Sequence, residues 1–381
     1  MIPVTRSSMP PFEKYVNRIA ELWETRWLTN SGKMHEELSE KLKKFFNVNV
    51  QLFANGHIAL EAGIRALELS GEVITTPFTF ASTTQAIVRS GLTPVFCDID
   101  AKTFNIDATK IESLITEKTS AILAVHVYGI PCDVVAIEKI AQKHNLKVIY
   151  DAAHAFGVNY LGRSIAEFGD LSMFSFHATK VFHTVEGGCC AFADKGLSSK
   201  LASQRNFGFN PDATDVISIG GNGKMSEFHA AMGLCNLEII EAEIEKRKKV
   251  SERYDKILCG VEGLQTFSLI GKEKGNENER AIGSAIDGEL KRNYAYYPVK
   301  ILPTFGKSRD CVADLLKSQG IIARKYFYPL TSDFECFKGK YRGNTPVAED
   351  VAAGILCLPL YADLAETEVI CKILCEATGF D

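Results

Sequence analysis

The stretch AILAVHVYGIPCDVVAIEKIAQKHNLKVIYDAA, residues 121–153, sets two short apolar runs around an amphipathic one. AILAVHVYG (121–129) and LKVIYDAA are crowded with aliphatic and β-branched residues, as strands buried on both faces are. Between them, VVAIEKIAQKHN repeats its apolar residues at helical spacing. Strand, helix, strand in that order is a βαβ unit with parallel strands. The alternation extends in both directions. Upstream lie NVQLFA (49–54), the helical HIALEAGIRALELS, EVITTP, a helix around 79–90 and TPVFCDID; downstream lie LSMFSFHA and GGCCAFAD. Residues 48–195 are therefore expected to form a mainly parallel sheet flanked by helices.

From about residue 225 the character changes. MSEFHAAMGLCNLEIIEAEIEKRKKVSERYDKIL reads as one long helix, apolar at Met225, Phe228, Met232, Leu237, Ile240 and Ile244. Its charged second half, EAEIEKRKK, reads as a solvated face. This helix is expected to bridge to a smaller domain, with NYAYYPVKI and GIIARKYFYPL as strands and SRDCVADLLKSQG and ETEVICKILCEA as helices. Residues 271–289, polar and Gly-rich, read as a loop. The expected division is a large domain over 1–240, whose N-terminal segment can pack on the small domain, and a small α/β domain over 241–381.

Composition narrows the function classes. The chain has 381 residues, 46% hydrophobic and 24% charged, with a net charge of −4 and a pI near 6.1. A nucleic-acid protein would carry a basic stripe instead. No apolar run reaches the roughly 20 residues that span a bilayer, and MIPVTRSSMPPFEKY lacks a secretory core, so a cytoplasmic protein is expected. The 11 cysteines show neither a CxxC pair nor a zinc-like cluster with histidine, so they read as reduced core thiols and no metal is expected.

Ligands of open α/β sheets bind beyond the carboxyl ends of the strands. Asn55-Gly56-His57 precedes a helix whose N–H groups make an anion seat, with Gly56 permitting a tight turn. EVITTP leads to Phe80, an aromatic on a loop. LKVIY delivers Asp151 and then His154, and LSMFSF delivers Ser175, His177 and Lys180. Taken singly, each has an ordinary reading: a turn, a helix cap, a surface lysine. Taken together, they are an anion seat, an aromatic face, a carboxylate, an imidazole and an amine. Pyridoxal phosphate needs that set: an amine to condense with its aldehyde, an acid facing its ring nitrogen and a cradle for its phosphate.

With these motifs in view the chain resembles the DegT/DnrJ/EryC1/StrS family of pyridoxal-phosphate-dependent sugar aminotransferases. The likeness runs through RWLTNSGKMHEELSEKL, PFTFASTTQAI, PVFCDID, VHVYGIPCD, DAAHAFG, FSFHATK, GGNGKMSEFHAAMGLCNL, YFYPL and LCLPLYADL. It implies the transferase fold of type I and a homodimer with shared active sites. Position by position, the resemblance makes Lys180 the lysine that carries the cofactor and Asp151 the acid at its ring nitrogen. It places His154 near the phenolic oxygen and Phe80 on the ring. It assigns Gly56, His57 and Ser175 to the phosphate, with Asn222 reaching that phosphate from the neighbouring subunit. Asn30, Tyr326 and Phe327 are expected along the sugar and nucleotide path.

The implied substrates are a nucleotide-linked keto sugar and L-glutamate, which leaves as 2-oxoglutarate. A histidine at position 154 implies amination at C4 of a 4-keto-6-deoxyhexose, linked to dTDP or else to UDP or GDP; the alternative is amination at C3. Two departures stand out: HTVEGG where members often read TGEGG, so Thr184-Val185 is expected to narrow the pocket or reshape the loop, and NGH where many read SGT. Lys180 argues against the family's dehydrating members, which carry histidine there. The full residue set argues against a non-catalytic regulator. A desulfurase using Cys189 or Cys190 is rejected, since both lie in an apolar strand run.

Overall fold

The computed structural model describes residues 1–266 and 290–378; the loop expected over 271–289 lies outside them. Strands β1 (Asn49–Phe53), β2 (Glu72–Thr75), β3 (Thr93–Phe96), β4 (Thr119–Val125) and β5 (Lys147–Asp151) are followed by a short hairpin, β6 (Asn159–Tyr160) and β7 (Arg163–Ser164). Then come β8 (Leu171–Ser175) and β9 (Gly188–Phe192). Seven of these nine form one sheet in the order β1-β9-β8-β5-β4-β2-β3. All its strands run one way except β9, which is antiparallel to both neighbours. Six carboxyl ends therefore gather on one edge.

Helices cover the sheet: α1 (Phe12–Thr25), α2 (Lys33–Phe46), α3 (Gly56–Ala66), α4 (Ala81–Arg89), the one-turn α5 (Ala108–Ile111), α6 (Val134–His144) and α7 (Gly196–Arg205). Local chemistry sets their ends. Asp133 caps α6 by accepting from Ala136 N–H, and Asn145 closes it in the left-handed region at φ 53°. The 32-residue α8 (Glu227–Leu258) starts on the cap Ser226. Its buried Glu227 accepts from Met34 N–H at 2.7 Å, which seats the start of α2.

An aromatic cluster joins the segments that will carry the site. Phe156 stacks on Phe182 at 4.2 Å and Phe46 stacks on Phe174 at 4.5 Å. These four rings are buried, and each contributes about 1.5–3 kcal/mol on transfer from water. The packing fixes the loop after β5 against the loop after β8. Asp151 and Lys180 sit at the mouths of those loops.

A second core gathers the end of α8 (Val250, Tyr254, Leu258) with a three-stranded antiparallel sheet and further helices. Its strands are β10 (Leu264–Thr266), β12 (Tyr297–Ile301) and β13 (Ile355–Leu358), while β11 (Leu290–Lys291) pairs instead with β6 of the first unit. Its helices span Arg309–Ser318 and Thr367–Glu376, with Pro346–Gly354 just before β13. The N-terminal residues lie on this unit: Ile2 bridges Ile321, and Val4 accepts from Leu360 N–H at 3.0 Å.

GIIARKYFYPL is not a strand. Single bridges at Ile321 and Arg324 hold its first half, and then it turns, Tyr328 N–H donating to Lys325 C=O. Its aromatic side chains pack toward the first unit instead of against a strand: Tyr326 and Phe327 are both buried there. Nearby, Asn293 donates to the carbonyls of His154 (2.7 Å) and Phe156 (2.9 Å), tying the second unit to the loop after β5.

Candidate active site

A cavity of about 730 Å³ opens at the carboxyl edge of the sheet. The large unit lines it with Gly56, His57, Phe80, Asp151, His154, Ser175 and Lys180; the second unit adds Tyr326 and Phe327. Nine of the eleven residues that the resemblance assigned to cofactor or substrate therefore meet in one place, with His177 beside them.

The cradle end is built at the start of α3. The Asn55 side chain accepts from Ile58 N–H at 2.9 Å. A helix begins with orphan N–H groups, and with Ile58 capped those of Gly56 and His57 are left to face the cavity. The sequence reading gave Gly56 a turn. It is in fact the first helical residue, and what matters is its missing side chain. A Cβ there would lie 2.9 Å from Ser175 Cβ and 3.1 Å from Met173 Sδ.

Asp151 ends β5 and is buried. Its Oδ2 accepts from Thr83 Oγ1 at 2.7 Å and its Oδ1 from Ala153 N–H at 3.1 Å. Thr79 stands 2.8 Å behind Thr83, so the two hydroxyls chain toward the carboxylate. Burial nevertheless dominates and raises the Asp151 pKa; the two hydrogen bonds, Lys180 and His57 pull it down.

Lys180 follows β8. Burial lowers its pKa to about 8, against the opposing pull of Asp151 and with help from Arg324. Near neutrality a usable fraction of the amine is thus unprotonated. His154 is buried, and burial first, then Lys180 and Arg324, holds its pKa well below the usual imidazole value. Its Nδ1 accepts from Tyr128 N–H at 3.2 Å, so the neutral ring carries its proton on Nε2. The ring lies parallel to Phe327 (5.9 Å) and against Tyr296 (4.7 Å). Phe80, half exposed, stacks on Tyr326 at 6.3 Å.

Two expected residues are not in the cavity. Asn222 is exposed and bridges Asn206; Asn30 is exposed and lines a separate cavity of about 650 Å³ with Arg205 and Lys224. Thr184 and Val185 do not line the site either. Thr184 is buried, donating to Glu186 C=O at 2.7 Å and packing beneath Gly233, so the expected narrowing of the pocket by this pair is not seen.

The sequence reading missed Thr83, Ser82 and Arg324. The signal for Thr83 was present in PFTFASTTQAI, where Thr79 and Thr83 share a face four residues apart. Arg324 lines the cavity, and its guanidinium lies 4.2 Å over the Tyr326 ring. Among the described residues no carboxylate pairs with it. Cys189 and Cys190 are buried in β9, where burial raises both thiols, so neither is poised as a nucleophile.

Comparison with known proteins gives this geometry a family. The DegT/DnrJ/EryC1/StrS aminotransferase family matches over residues 12–374. The chain belongs to that family. It is 42% identical over 379 residues to the dTDP-4-amino-4,6-dideoxy-D-glucose transaminase of Escherichia coli, covering 98% of this chain and 96% of that protein. A protein of the same description from Shigella dysenteriae is also 42% identical, over 364 residues and 95% and 94% of the two chains. Among solved structures, DesI in the presence of its TDP-sugar product superposes with a TM-score of 0.90 at 31% identity, over 98% of this chain and 92% of that one.

Proposed function

We propose that this aminotransferase uses pyridoxal phosphate to move the amino group of L-glutamate onto C4 of a dTDP-linked 4-keto-6-deoxyhexose. The product is the 4-amino-4,6-dideoxy sugar. The observation that carries the reading is the convergence of Lys180, Asp151 and the Gly56 cradle on one cavity. The donor set fits the cofactor: a space a Cβ at Gly56 would fill, two helix N–H groups and a hydroxyl for a phosphate, and a buried carboxylate for a ring nitrogen. The choice of sugar rests on the two relatives at 42% identity.

When bound, pyridoxal phosphate supplies a ring that accepts the electron pair released at the amine-bearing carbon. Gly56 and His57 by N–H, and Ser175 by hydroxyl, hold its phosphate. Asp151 keeps a proton on the ring nitrogen, with Thr83 holding the carboxylate in place. The Lys180 amine takes the proton from Cα of glutamate and later delivers one to C4 of the sugar. Arg324 receives a carboxylate of glutamate, since it lines the cavity and no carboxylate of the described residues pairs with it. His154 offers its Nε2–H as a donor, and Tyr326 and Phe327 keep water out.

The working unit is a homodimer in which Asn222 reaches the partner's phosphate. Apolar side chains that a second copy of the chain could cover stand exposed, Trp23 at 67%, Phe207 at 48% and Ile219 at 87%. Among the described residues no helix is long and apolar enough to cross a membrane, in keeping with a cytoplasmic enzyme.

The decisive assay is the reverse reaction, with 2-oxoglutarate and either the 4-amino or the 3-amino dTDP sugar. Glutamate is expected from the 4-amino sugar only; glutamate from the 3-amino sugar alone overturns the C4 assignment. Lys180→Ala should lose both the borohydride-reducible chromophore and turnover. Mixing Lys180→Ala with Asn222→Ala subunits should regain activity, and none regained would refute the shared site.

A further inference from the structure

The seat at the start of α3 carries a histidine, and its ring does not face the seat as a ligand would. His57 Nδ1 stands 2.9 Å from Ser82 Oγ, and Nε2 stands 3.0 Å from Glu61 Oε1. Glu61 is largely buried and also pairs with Arg89 of α4, through the same oxygen, and with Arg65 at 3.9 Å. Ser82 sits in the first turn of α4 and lines the same cavity wall as Gly56 and His57. Glu61, His57 and Ser82 therefore form a chain from the outer side of α3 into the cavity.

We propose that Ser82 is a phosphate-binding hydroxyl whose proton is aimed by His57, so that phosphate binding and protonation of His57 favour one another. This rests on the pyridoxal phosphate reading above. A carboxylate oxygen 3.0 Å from Nε2 keeps a proton on that nitrogen. In the neutral ring Nδ1 is then an acceptor and draws the Ser82 proton to itself. Ser82 would present only lone pairs to the cavity, which repel a phosphate. In the imidazolium Nδ1 donates to Ser82 Oγ, and the hydroxyl proton is free to turn to a phosphate oxygen. An anion in the seat thus selects the protonated ring, and the reverse holds by linkage. The other titratable and charged groups facing His57 are Arg65 and Arg89, reached through Glu61, and, around the cavity, Asp151, His154, His177, Lys180, Glu186 and Arg324.

The arrangement answers a question the motif raises. NGH lacks the hydroxyl that SGT would place at the seat, and Ser82, from the neighbouring helix, restores one. His57 is a positioning residue in this scheme, and its backbone N–H remains a direct ligand.

The test uses the holoenzyme and the dissociation constant of pyridoxal phosphate, read by equilibrium dialysis between pH 6 and 9, with the ³¹P resonance of bound phosphate as a second readout. Ser82→Ala should weaken binding about tenfold at the acid end, the effect of one charge-assisted hydrogen bond. The ratio of variant to wild-type constants should fall as pH rises, and the bound ³¹P resonance should shift. Ser82→Thr should restore both. In a His57→Ala background the Ser82→Ala effect should no longer change with pH, since the ring that reverses the hydroxyl is gone. Should the alanine variant fail to fold, Ser82→Cys keeps the volume with a much weaker donor and should show the same loss. An unchanged constant in Ser82→Ala, or a loss equally large at every pH in the His57 protein, overturns the proposal. Absence of any borohydride-reducible chromophore in the wild type would instead overturn the cofactor reading itself.

Discussion

Replacing Thr83 by valine keeps the side chain's shape and removes one proton donor. In the wild type that hydroxyl donates to Asp151 Oδ2 at 2.7 Å, inside a buried site. A hydrogen bond to a charged group contributes about 1.5–3 kcal/mol. The pH dependence of the loss carries the sharper prediction. Burial already raises the folded pKa of Asp151, and removing Thr83 takes away the largest opposing influence, so the variant's pKa rises further. A carboxyl with a raised folded pKa binds its proton better when folded, so the folded state regains stability as pH falls through that pKa. In cofactor-free protein the deficit of Thr83→Val should be about 1.5–3 kcal/mol at about pH 8. As pH falls it should shrink toward about 0.5–1.5 kcal/mol, that of a neutral hydrogen bond. Urea unfolding across a pH series measures it. Thr83→Ser keeps the donor, loses one methyl, and should show a small deficit of about 0.8 kcal/mol that does not vary with pH. A valine deficit that is constant with pH, or larger in acid, refutes an ionised Asp151 held by Thr83.

In cofactor-free protein, acylation of Lys180 followed by mass spectrometry should be half-maximal near pH 8, well below exposed lysines; Asp151→Asn should move that midpoint lower still, because Asp151 is the group that raises it. Gly56→Ala should weaken cofactor binding about tenfold or more, since crowding of this kind costs about 1–3 kcal/mol; dialysis of the holoenzyme reads it. Arg324→Gln should lower kcat/KM for glutamate about 10- to 150-fold, the loss of a charge-assisted contact, with the KM for the sugar unchanged. Equal losses for both substrates would remove Arg324 from the donor site.

The fold was legible where burial acts on consecutive residues. LKVIYDAA could hardly be anything but a central strand, and it delivers Asp151 where the sheet ends. The site was legible where a residue's chemistry stands out from its surroundings, as with an amine among apolar neighbours at Lys180. What escaped was geometry made by distant segments. GIIARKYFYPL has the composition of a strand, but it touches the edge of the second sheet by a single bridge, Arg324 to Cys357 of β13, and its aromatics have a better burial at the cavity. Arg324 looked like an ordinary basic residue for the same reason. Ser82 and His57 are 25 residues apart, and only the side-by-side packing of α3 and α4 makes them partners.

Asn293 adds a mechanical consequence. Its amide holds the carbonyls of His154 and Phe156, so the second unit grips the backbone on either side of Ala155, next to the His154 imidazole. A rigid swing of that unit away from the sheet would drag His154 with it or break both bonds. At the rim, by contrast, the Phe80 ring stands half exposed, so a rotation of that one side chain widens the mouth without disturbing the two Asn293 bonds. A chain tied in this way couples the second unit to the backbone beside His154 through one amide.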